Sequence, residues 1–239
     1  MCARFTLTAG VAEIAAALGV DPAAIDAAGH RPRYNVAPTQ PHFIVRERRE
    51  ERQALPARWG LVNSWATDAK RAGAQINARA EDVPRRRAYR AAWEQGRRCL
   101  VPADGFFEWT GPKSARQPVW FHRPEGGLIL LAGLYESWRA GDDDEWRRTF
   151  TILTTRANGA VAPIHDRMPV ILSPDDAAEW VYPGNAPDAV SGLLRPAPES
   201  LLVGEAVSRR VNSVRNDDPA CLALEPEAEL ATHQGALFS

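Results

Sequence analysis

The second residue of the chain is a cysteine that becomes a reactive amino terminus once Met1 is removed. Methionine is readily trimmed when the next side chain is small, and cysteine is small. Trimming leaves Cys2 with a free α-amine, which titrates close to neutral pH, beside its own thiol. The amine can form a Schiff base with an aldehyde, and the thiol can then close it to a five-membered thiazolidine. No internal residue can do this, so the pair predicts aldehyde chemistry. The simpler alternative is a chance cysteine in a frayed terminus.

Seven strings stand out along the chain: Met1–Phe5, Tyr34–Thr39, Trp59–Val62, Asn77–Glu81, Val101–Trp109, Ile164–Pro169 and Val211–Asp217. In their content and order they resemble the SRAP domain family, which contains abasic-site sensors of the SOS-response-associated type. The resemblance extends from Cys2 to about Cys221. One position departs from the family pattern, because Ala3 stands where the family has glycine and has less backbone freedom.

The resemblance implies a covalent thiazolidine between Cys2 and the ring-opened aldehyde of an abasic site in single-stranded DNA. It also implies that the chain removes its own Met1, and that Asn77, Glu108 and His165 line the site with Cys2. We expect no cofactor and no metal, because the three cysteines are far apart and form no CxxC-type site.

Taken by themselves, the three partner residues leave alternatives open. Glu108 lies between Phe107 and Trp109 in an apolar strand, where a carboxylate is either outward-facing, paired, or shifted to a raised pKa that suits proton transfer. His165 lies in a loop bracketed by prolines, and it serves either loop structure or protonation of a departing hydroxyl. Asn77 is either a turn residue or a ligand for an amine or a sugar hydroxyl.

Three arginines, Arg4, Arg79 and Arg167, each follow a proposed catalytic residue by two positions. In a strand this spacing puts both side chains on one face, so these arginines are predicted to contact the phosphates beside the lesion. Trp65 and Trp109 are predicted to stack on exposed bases. Pro38 completes the predicted DNA-binding set.

Composition limits the other function classes. Hydrophobic residues make up 45% of the 239 residues and charged residues 25%, as in ordinary globular proteins. The net charge of −1 carries no global nucleic-acid signal. The chain lacks a run of 18 apolar residues, so we expect no membrane association. We expect a cytoplasmic monomer that joins the nucleoid when bound to abasic single strands.

Two further functions remain open from the residues alone. An amino-terminal thiol with its own amine as base also suits a peptidase or amidohydrolase that acts on other substrates. A non-catalytic module that binds single-stranded DNA is the third candidate.

The pattern of elements predicts an α+β fold in one domain, residues 2–225, followed by a tail at 226–239. Its core is a largely antiparallel, curved or barrel-like sheet with a few flanking helices. Helices are predicted at 11–18, capped by Thr8 and closed by Gly19, at 85–95, and after the cap Ser173. Residues 29–40 are predicted to be a loop. Predicted strands are 42–46, one within 55–65, 98–102, 105–109, 119–122, 128–134, 150–154, 170–172 and 206–214.

Overall fold

Two β-sheets run through residues 2–67, 75–139 and 147–225, which the computed structural model describes. The strands are β1 Phe5–Leu7, β2 Arg33–Val36, β3 Pro41–Arg48, β4 Glu51–Trp59, β5 Asn77–Arg79, β6 Arg98–Ala103, β7 Gly105–Thr110, β8 Gln117–His122, β9 Ile129–Trp138, β10 Arg147–Arg156, β11 Arg167–Pro169, β12 Ile171–Leu172 and β13 Val203–Ala206. The helices are α1 Val11–Leu18, α2 Pro22–Ala27, α3 Arg87–Glu94, α4 Pro174–Val181 and α5 Pro187–Val190. The predicted tail at 226–239 lies outside the described residues.

The larger sheet closes on itself. Its order is β11-β10-β4-β3-β6-β9-β12, and β9 also pairs with β10, so that β10, β4, β3, β6 and β9 form a ring. Among the strand pairs of the described residues, only β10–β4 and β10–β5 are parallel. The prediction of a largely antiparallel, barrel-like α+β fold is therefore confirmed.

Strand β6 shows why this sequence forms a barrel with helices around it. Its six residues, Arg98–Ala103, are all buried. Val101 packs into the apolar cluster inside the ring, which also contains Trp59 and Phe150. Leu100 points the other way, into the cluster formed with the flanking helices. A strand covered on both faces reads as a continuous apolar run rather than as an alternating one.

The smaller sheet carries the amino terminus. Its order is β13-β8-β7-β1-β2, so β1 lies between β7 and β2. Phe5 pairs with Phe106 on one side and with Val36 on the other. Residues 5–7, close to the amino terminus, are thus fixed in the middle of a sheet.

Several predicted elements need correction. Helix α1 spans the predicted residues, but Gly10 occupies the N-cap position, and the Thr8 hydroxyl instead donates to the Asp104 carboxylate at 2.7 Å. The predicted loop at 29–40 contains β2, whose partner β1 lies far away in sequence. The predicted strand at 206–214 is wrong beyond Ala206, because residues 209–212 form a 3₁₀ turn. The cap of α4 is confirmed: Ser173 accepts the backbone N–H of Asp176 at 3.1 Å.

No helix within the described ranges has the length and apolar character needed to cross a membrane.

The β3–β4 hairpin gives a prediction about stability. Arg49 and Glu50 connect the strands with φ values of 54° and 62°, a left-handed conformation that disfavours both residue types. Replacing the exposed pair by Asn-Gly, the sequence this turn prefers, is expected to raise the free energy of unfolding by about 1 kcal/mol. For a domain of this size the melting temperature rises by about 2–4 °C. Thermal unfolding measures it. Arg49→Ala with Glu50→Ala is the control, since it removes the same side chains and keeps the strain. An equal rise in that control contradicts the explanation.

Candidate active site at the amino terminus

Cys2 lies fully buried at the start of the smaller sheet, directly before β1. Its thiol approaches the carbonyl oxygen of Arg4 at 3.5 Å. The alternative of a frayed terminus is therefore wrong for this residue. Burial raises the pKa of the thiol well above its usual range, and the charge of Glu108 raises it further. The thiol is consequently protonated near neutral pH and needs a base before it can attack.

Asn77 reaches Cys2 from the larger sheet. It begins β5, which runs parallel to β10 and places Asn77 opposite Ile152. Its amide nitrogen donates to the Cys2 carbonyl oxygen at 2.6 Å. The amide oxygen is buried, and no hydrogen-bond partner for it occurs among the described residues. The side chain thus holds the backbone of Cys2, and its amide oxygen remains available beside Cys2 to accept a hydrogen bond.

Glu108 reaches the same place from β7. Phe107 and Trp109 pack with Val207, Val211 and other residues of the late segment on one face of β7. Residues alternate between the faces of a strand, so Glu108 shares the opposite face with Phe106. That ring belongs to the apolar cluster that contains Cys2. Both faces of β7 are covered, which makes the outward-facing interpretation of Glu108 wrong.

Burial governs the ionisation of Glu108. Its exposed fraction is 3%. Removal from water raises the pKa of the carboxyl group to about 7, and the charge of Asp166 also raises it. Both the acid and the carboxylate are therefore populated near neutral pH. A carboxyl group in this state can give or take a proton within the reach of Cys2.

His165 lies on the loop before β11, next to Asp166, whose charge acts on Glu108. Its Nδ1 accepts the backbone N–H of Arg167 at 2.9 Å and also lies 3.0 Å from Asp166 Oδ1. The first contact suits the neutral ring and the second the protonated ring. Burial lowers the pKa of His165, although Asp166 opposes this, so we assign the neutral ring with its proton on Nε2.

Arg4 and Trp109, both predicted DNA contacts, meet beside this cluster. The Arg4 guanidinium lies 5.7 Å from the centre of the Trp109 ring, and it donates to Asn35 Oδ1 at 2.9 Å. It also donates to the Val211 carbonyl oxygen at 2.8 Å. The Trp109 indole N–H donates to Asn212 Oδ1 at 2.7 Å. Both side chains are therefore held in fixed orientations, on the face of β7 opposite Glu108.

Arg79 and Arg167 differ in their surroundings. Arg79 is exposed at the end of β5. Arg167 is 9% exposed, and its guanidinium donates to both carboxylate oxygens of Glu81, at 2.7 and 2.9 Å, and to the Thr154 carbonyl at 2.6 Å. A phosphate would have to compete with Glu81 for Arg167. Phosphate contact stays a prediction for both arginines.

Trp65 and Pro38 lie outside the hydrogen-bonded cluster around Cys2. Trp65 is 54% exposed, and the Arg87 guanidinium lies over its ring at 4.6 Å. Pro38 is half-buried before Thr39, whose φ of 70° marks a tight turn. An exposed indole beside an arginine can stack on a base, so the predicted role of Trp65 remains open to test.

Asn35 is a structural residue of the site to which the sequence assigned no role. It is fully buried, and its amide nitrogen lies within hydrogen-bond distance of the carbonyl oxygens of Val211, Ser213 and Asn216, at 3.1, 3.1 and 2.7 Å. It therefore joins Arg4 to the Val211–Asp217 string. A polar residue between Tyr34 and Val36 in a proline-flanked stretch was the only available signal.

In the residues that the structure describes, no group of three His, Cys, Asp or Glu side chains is placed to hold a metal ion. Cys99 and Cys221 are free and buried.

Comparisons with known proteins bear on the family and the fold of this chain. A family model described as SOS response associated peptidase (SRAP) matches residues 1–214. The chain is 36% identical over 222 residues to the abasic site processing protein YoqW of Bacillus subtilis (strain 168), covering 92% of this chain and 97% of that protein. It is 32% identical over 187 residues to the abasic site processing protein YedK of Escherichia coli (strain K12), covering 77% and 81%. A crystal structure of a protein from Bacteroides thetaiotaomicron matches with a TM-score of 0.83 over 94% of this chain and all of that one, and its 23% identity speaks to the fold alone.

Proposed function

Because this chain belongs to the SOS response associated peptidase (SRAP) family, we propose that it bonds covalently through Cys2 to abasic sites in single-stranded DNA. One observation carries the proposal. A buried amino-terminal cysteine lies beside an amide that holds its backbone and a carboxyl group whose pKa is about 7. The relatives named abasic site processing proteins support the substrate.

The proposed reaction begins once Met1 is lost. The Cys2 amine adds to the aldehyde carbon of the ring-opened sugar and forms a carbinolamine. Loss of its hydroxyl as water leaves a Schiff base. The thiol sulfur then adds to the imine carbon while the imine nitrogen gains a proton, which closes the thiazolidine. One water is released in all, and no oxidant or reductant is needed.

Glu108 is placed to serve the proton transfers of this sequence. As the neutral acid it protonates the departing hydroxyl of the carbinolamine. As the carboxylate it accepts the proton of the Cys2 thiol, whose raised pKa keeps it neutral without such a base. Since the pKa of Glu108 is about 7, both forms are at hand at neutral pH.

Asn77 and His165 complete the site with hydrogen bonds. Asn77 donates a hydrogen bond to the Cys2 carbonyl oxygen. The amide oxygen of Asn77 can accept a hydrogen bond from the Cys2 amine or from a sugar hydroxyl. The neutral His165 ring can donate its Nε2 hydrogen to the sugar oxygen while the furanose opens. The lowered pKa of His165 favours this hydrogen bond over full proton donation.

The strand itself would be held by the Arg4–Trp109 pair and by the exposed side chains of Arg79 and Trp65. Stacking on indoles and contact with phosphates do not read sequence, so the protein would accept lesions in many contexts.

A single incubation tests this function. An oligonucleotide with one abasic site is mixed with the protein, and the products are separated by denaturing electrophoresis. A covalent band is expected. The matched control is the same oligonucleotide after its abasic aldehyde has been reduced to the alcohol, which keeps the backbone and removes the electrophile. Equal adduct with both oligonucleotides, or none with either, contradicts the proposal.

The state of the amino terminus gives a second prediction. Purified protein is expected to have an intact mass lower by one methionine residue, because the α-amine of Cys2 must be free for the ring to close. Protein that keeps Met1 and still forms the adduct would exclude the thiazolidine.

Self-removal of Met1 is tested separately, in a cell-free translation system without methionine aminopeptidase. The wild-type chain is expected to lose Met1 there, and Glu108→Gln to retain more of it. Retention in the wild type assigns the trimming to host enzymes and leaves the crosslinking proposal standing.

A further inference from the structure

A cavity of about 430 Å³ opens at one end of the barrel. It lies where β3 begins and β4 ends, against the start of β10. These three strand ends meet because Arg58 pairs with Pro41 on one side and with Thr149 on the other. Its inner wall includes the buried residues His42 and Trp59. The volume is at the small end of the range for ligand sites.

The lining of this cavity is strongly basic. It contains five arginines and two histidines, and no carboxylate among the described residues: His30, Arg31, Arg33, His42, Arg58, Arg147 and Arg148. The net charge of the chain is only −1, so this concentration of one sign is local. We call it the basic cavity.

Two arginines of the lining, Arg33 and Arg148, differ in how their charge is compensated. Arg33 pairs with Asp217 at one edge. The Nε of Arg148 is buried without a hydrogen-bond partner among the described residues. Burial lowers the pKa of Arg148, and repulsion from Arg46 lowers it further. An anion in the basic cavity would offset both the burial of the Arg148 charge and its repulsion from Arg46.

The basic cavity shares its walls with the site around Cys2. Phe5 lies in β1, three residues after Cys2. The centre of its ring is 4.9 Å from that of His42 and 5.1 Å from that of Trp59. Arg58 Nε donates to the carbonyl of Thr39 at 2.7 Å, in the turn that Pro38 begins. The rim of the cavity thus continues the surface on which the predicted contact Pro38 lies.

A second link runs through Asp217. Its carboxylate pairs with Arg33 and accepts the backbone N–H of Asn35 at 2.9 Å. Asn35 in turn holds Arg4. Arg4, a predicted phosphate contact, and the wall of the basic cavity are therefore joined by three direct contacts.

We propose that the basic cavity is a second binding site for the same DNA strand, which takes phosphate groups of nucleotides away from the one joined to Cys2. This rests on the proposed function. Arg31 and Arg58 are exposed at the rim. Exposed guanidinium groups suit a phosphate backbone that crosses the opening, whereas a free anion would favour arginines that converge inside.

The test compares two lengths of undamaged single strand, about 4 and about 16 nucleotides, which span the range of single-strand site sizes. The wild type is expected to bind the longer strand more tightly. Arg31→Ala with Arg58→Ala is expected to weaken binding of the longer strand about tenfold and to lower the salt slope by about 0.7 for each lost phosphate contact, with little change for the shorter strand.

Arg48→Ala provides the matched control. Arg48 is exposed on the same strand as Pro41 but at its other end, about 23 Å away at the usual rise per residue. Combined with Arg49→Ala, at a residue that is also exposed, the exchange removes two positive charges, as the double variant does. The binding of both strands by this control is expected to match the wild type.

Three results overturn the proposal. The double variant could bind the longer strand as the wild type does. It could lose affinity equally for both lengths, which would show a general effect of charge. Alternatively, calorimetry with a deoxynucleoside monophosphate could show saturable binding that the double variant loses while its affinity for the longer strand is unchanged, which would identify a free-nucleotide site.

Undamaged strands do not need Cys2 chemistry, so the two proposals fail separately. Loss of adduct formation on abasic DNA with the length dependence intact rejects only the covalent function. The reverse pattern rejects only the basic cavity as a strand site.

Discussion

Cys2→Ser is expected to abolish the denaturation-resistant adduct with abasic DNA, with a loss of roughly 10³-fold or more, as when a covalent nucleophile is removed from an enzyme. A serine hydroxyl can occupy the thiol position, but its oxygen is a weaker nucleophile and does not form a comparably stable ring. The amine would still form the Schiff base, which water reverses. Denaturing electrophoresis after a fixed incubation measures the loss.

Borohydride trapping sharpens this experiment. Added during the reaction, a mild hydride donor reduces the Schiff base, so Cys2→Ser is expected to give a covalent band only in its presence. That result would show that the amine is still correctly placed and that the thiol alone is missing. Cys221→Ser serves as the control because Cys221 is also a free, buried thiol. A stable adduct of Cys2→Ser without the hydride would exclude ring closure by sulfur.

The chemistry proposed for Cys2 can be derived from the sequence because it depends on covalent neighbours alone. An amino-terminal cysteine carries its amine and thiol on adjacent atoms whatever the fold. The same holds for the cap of α4, where Ser173 and Pro174 specify the local geometry. Local signals of this kind are visible without tertiary structure.

The position of Glu108 was not predictable in this way. Alternation with Phe107 and Trp109 favours an outward-facing carboxylate if one face of the strand meets solvent. Here residues 207–222 cover the face of Phe107, and the barrel covers the face of Phe106. The covering segment comes some 100 residues later in the chain, so the strand sequence contains no sign of it. A similar reason applies to β2, where the sequence predicts a loop: its partner β1 lies in another part of the chain, before helices α1 and α2.

The role of Asn35 shows what such distant packing adds. Its side chain joins Arg4 to Val211, across most of the length of the chain. The family resemblance marked both strings, but only the fold shows that one amide connects them. The sequence therefore predicts a set of candidate side chains, whereas burial and contact in the fold limit what each of them can do.

Glu108→Gln is expected to slow adduct formation by about 10²–10³-fold near pH 7, the usual effect of losing a positioned proton donor and acceptor. Glutamine keeps the size of the side chain and removes its ionisation. The wild-type rate is expected to change through the pKa of Glu108, about 7, whereas the variant loses this inflection. A time course of adduct formation at several pH values measures both effects.

The same variant has a second readout, in stability. The pKa of Glu108 is raised from 4.5 to about 7 in the folded chain, so the folded state binds the proton more tightly than the unfolded state. The stabilisation that this group contributes to the folded state is fully present below about pH 4.5, and it is lost as the pH rises through about 7. Glutamine removes that loss, so the variant gains stability relative to the wild type over this window, by up to about 3 kcal/mol. Denaturant unfolding at a series of pH values measures it.

Together the two readouts separate catalysis from structure. Glu125→Gln is the control, because Glu125 is exposed in the loop after β8 and should affect neither rate nor stability. If Glu108→Gln gains stability with rising pH but forms the adduct as fast as the wild type, Glu108 is a buried carboxyl group without a catalytic role. If neither quantity changes, Glu108 does not titrate near neutral pH, and the proton transfers at Cys2 must be assigned to another group. A slower reaction together with the gain in stability supports a catalytic role for Glu108. The same buried position that suits the proton transfers then destabilises the fold above neutral pH, where the carboxyl group is ionised.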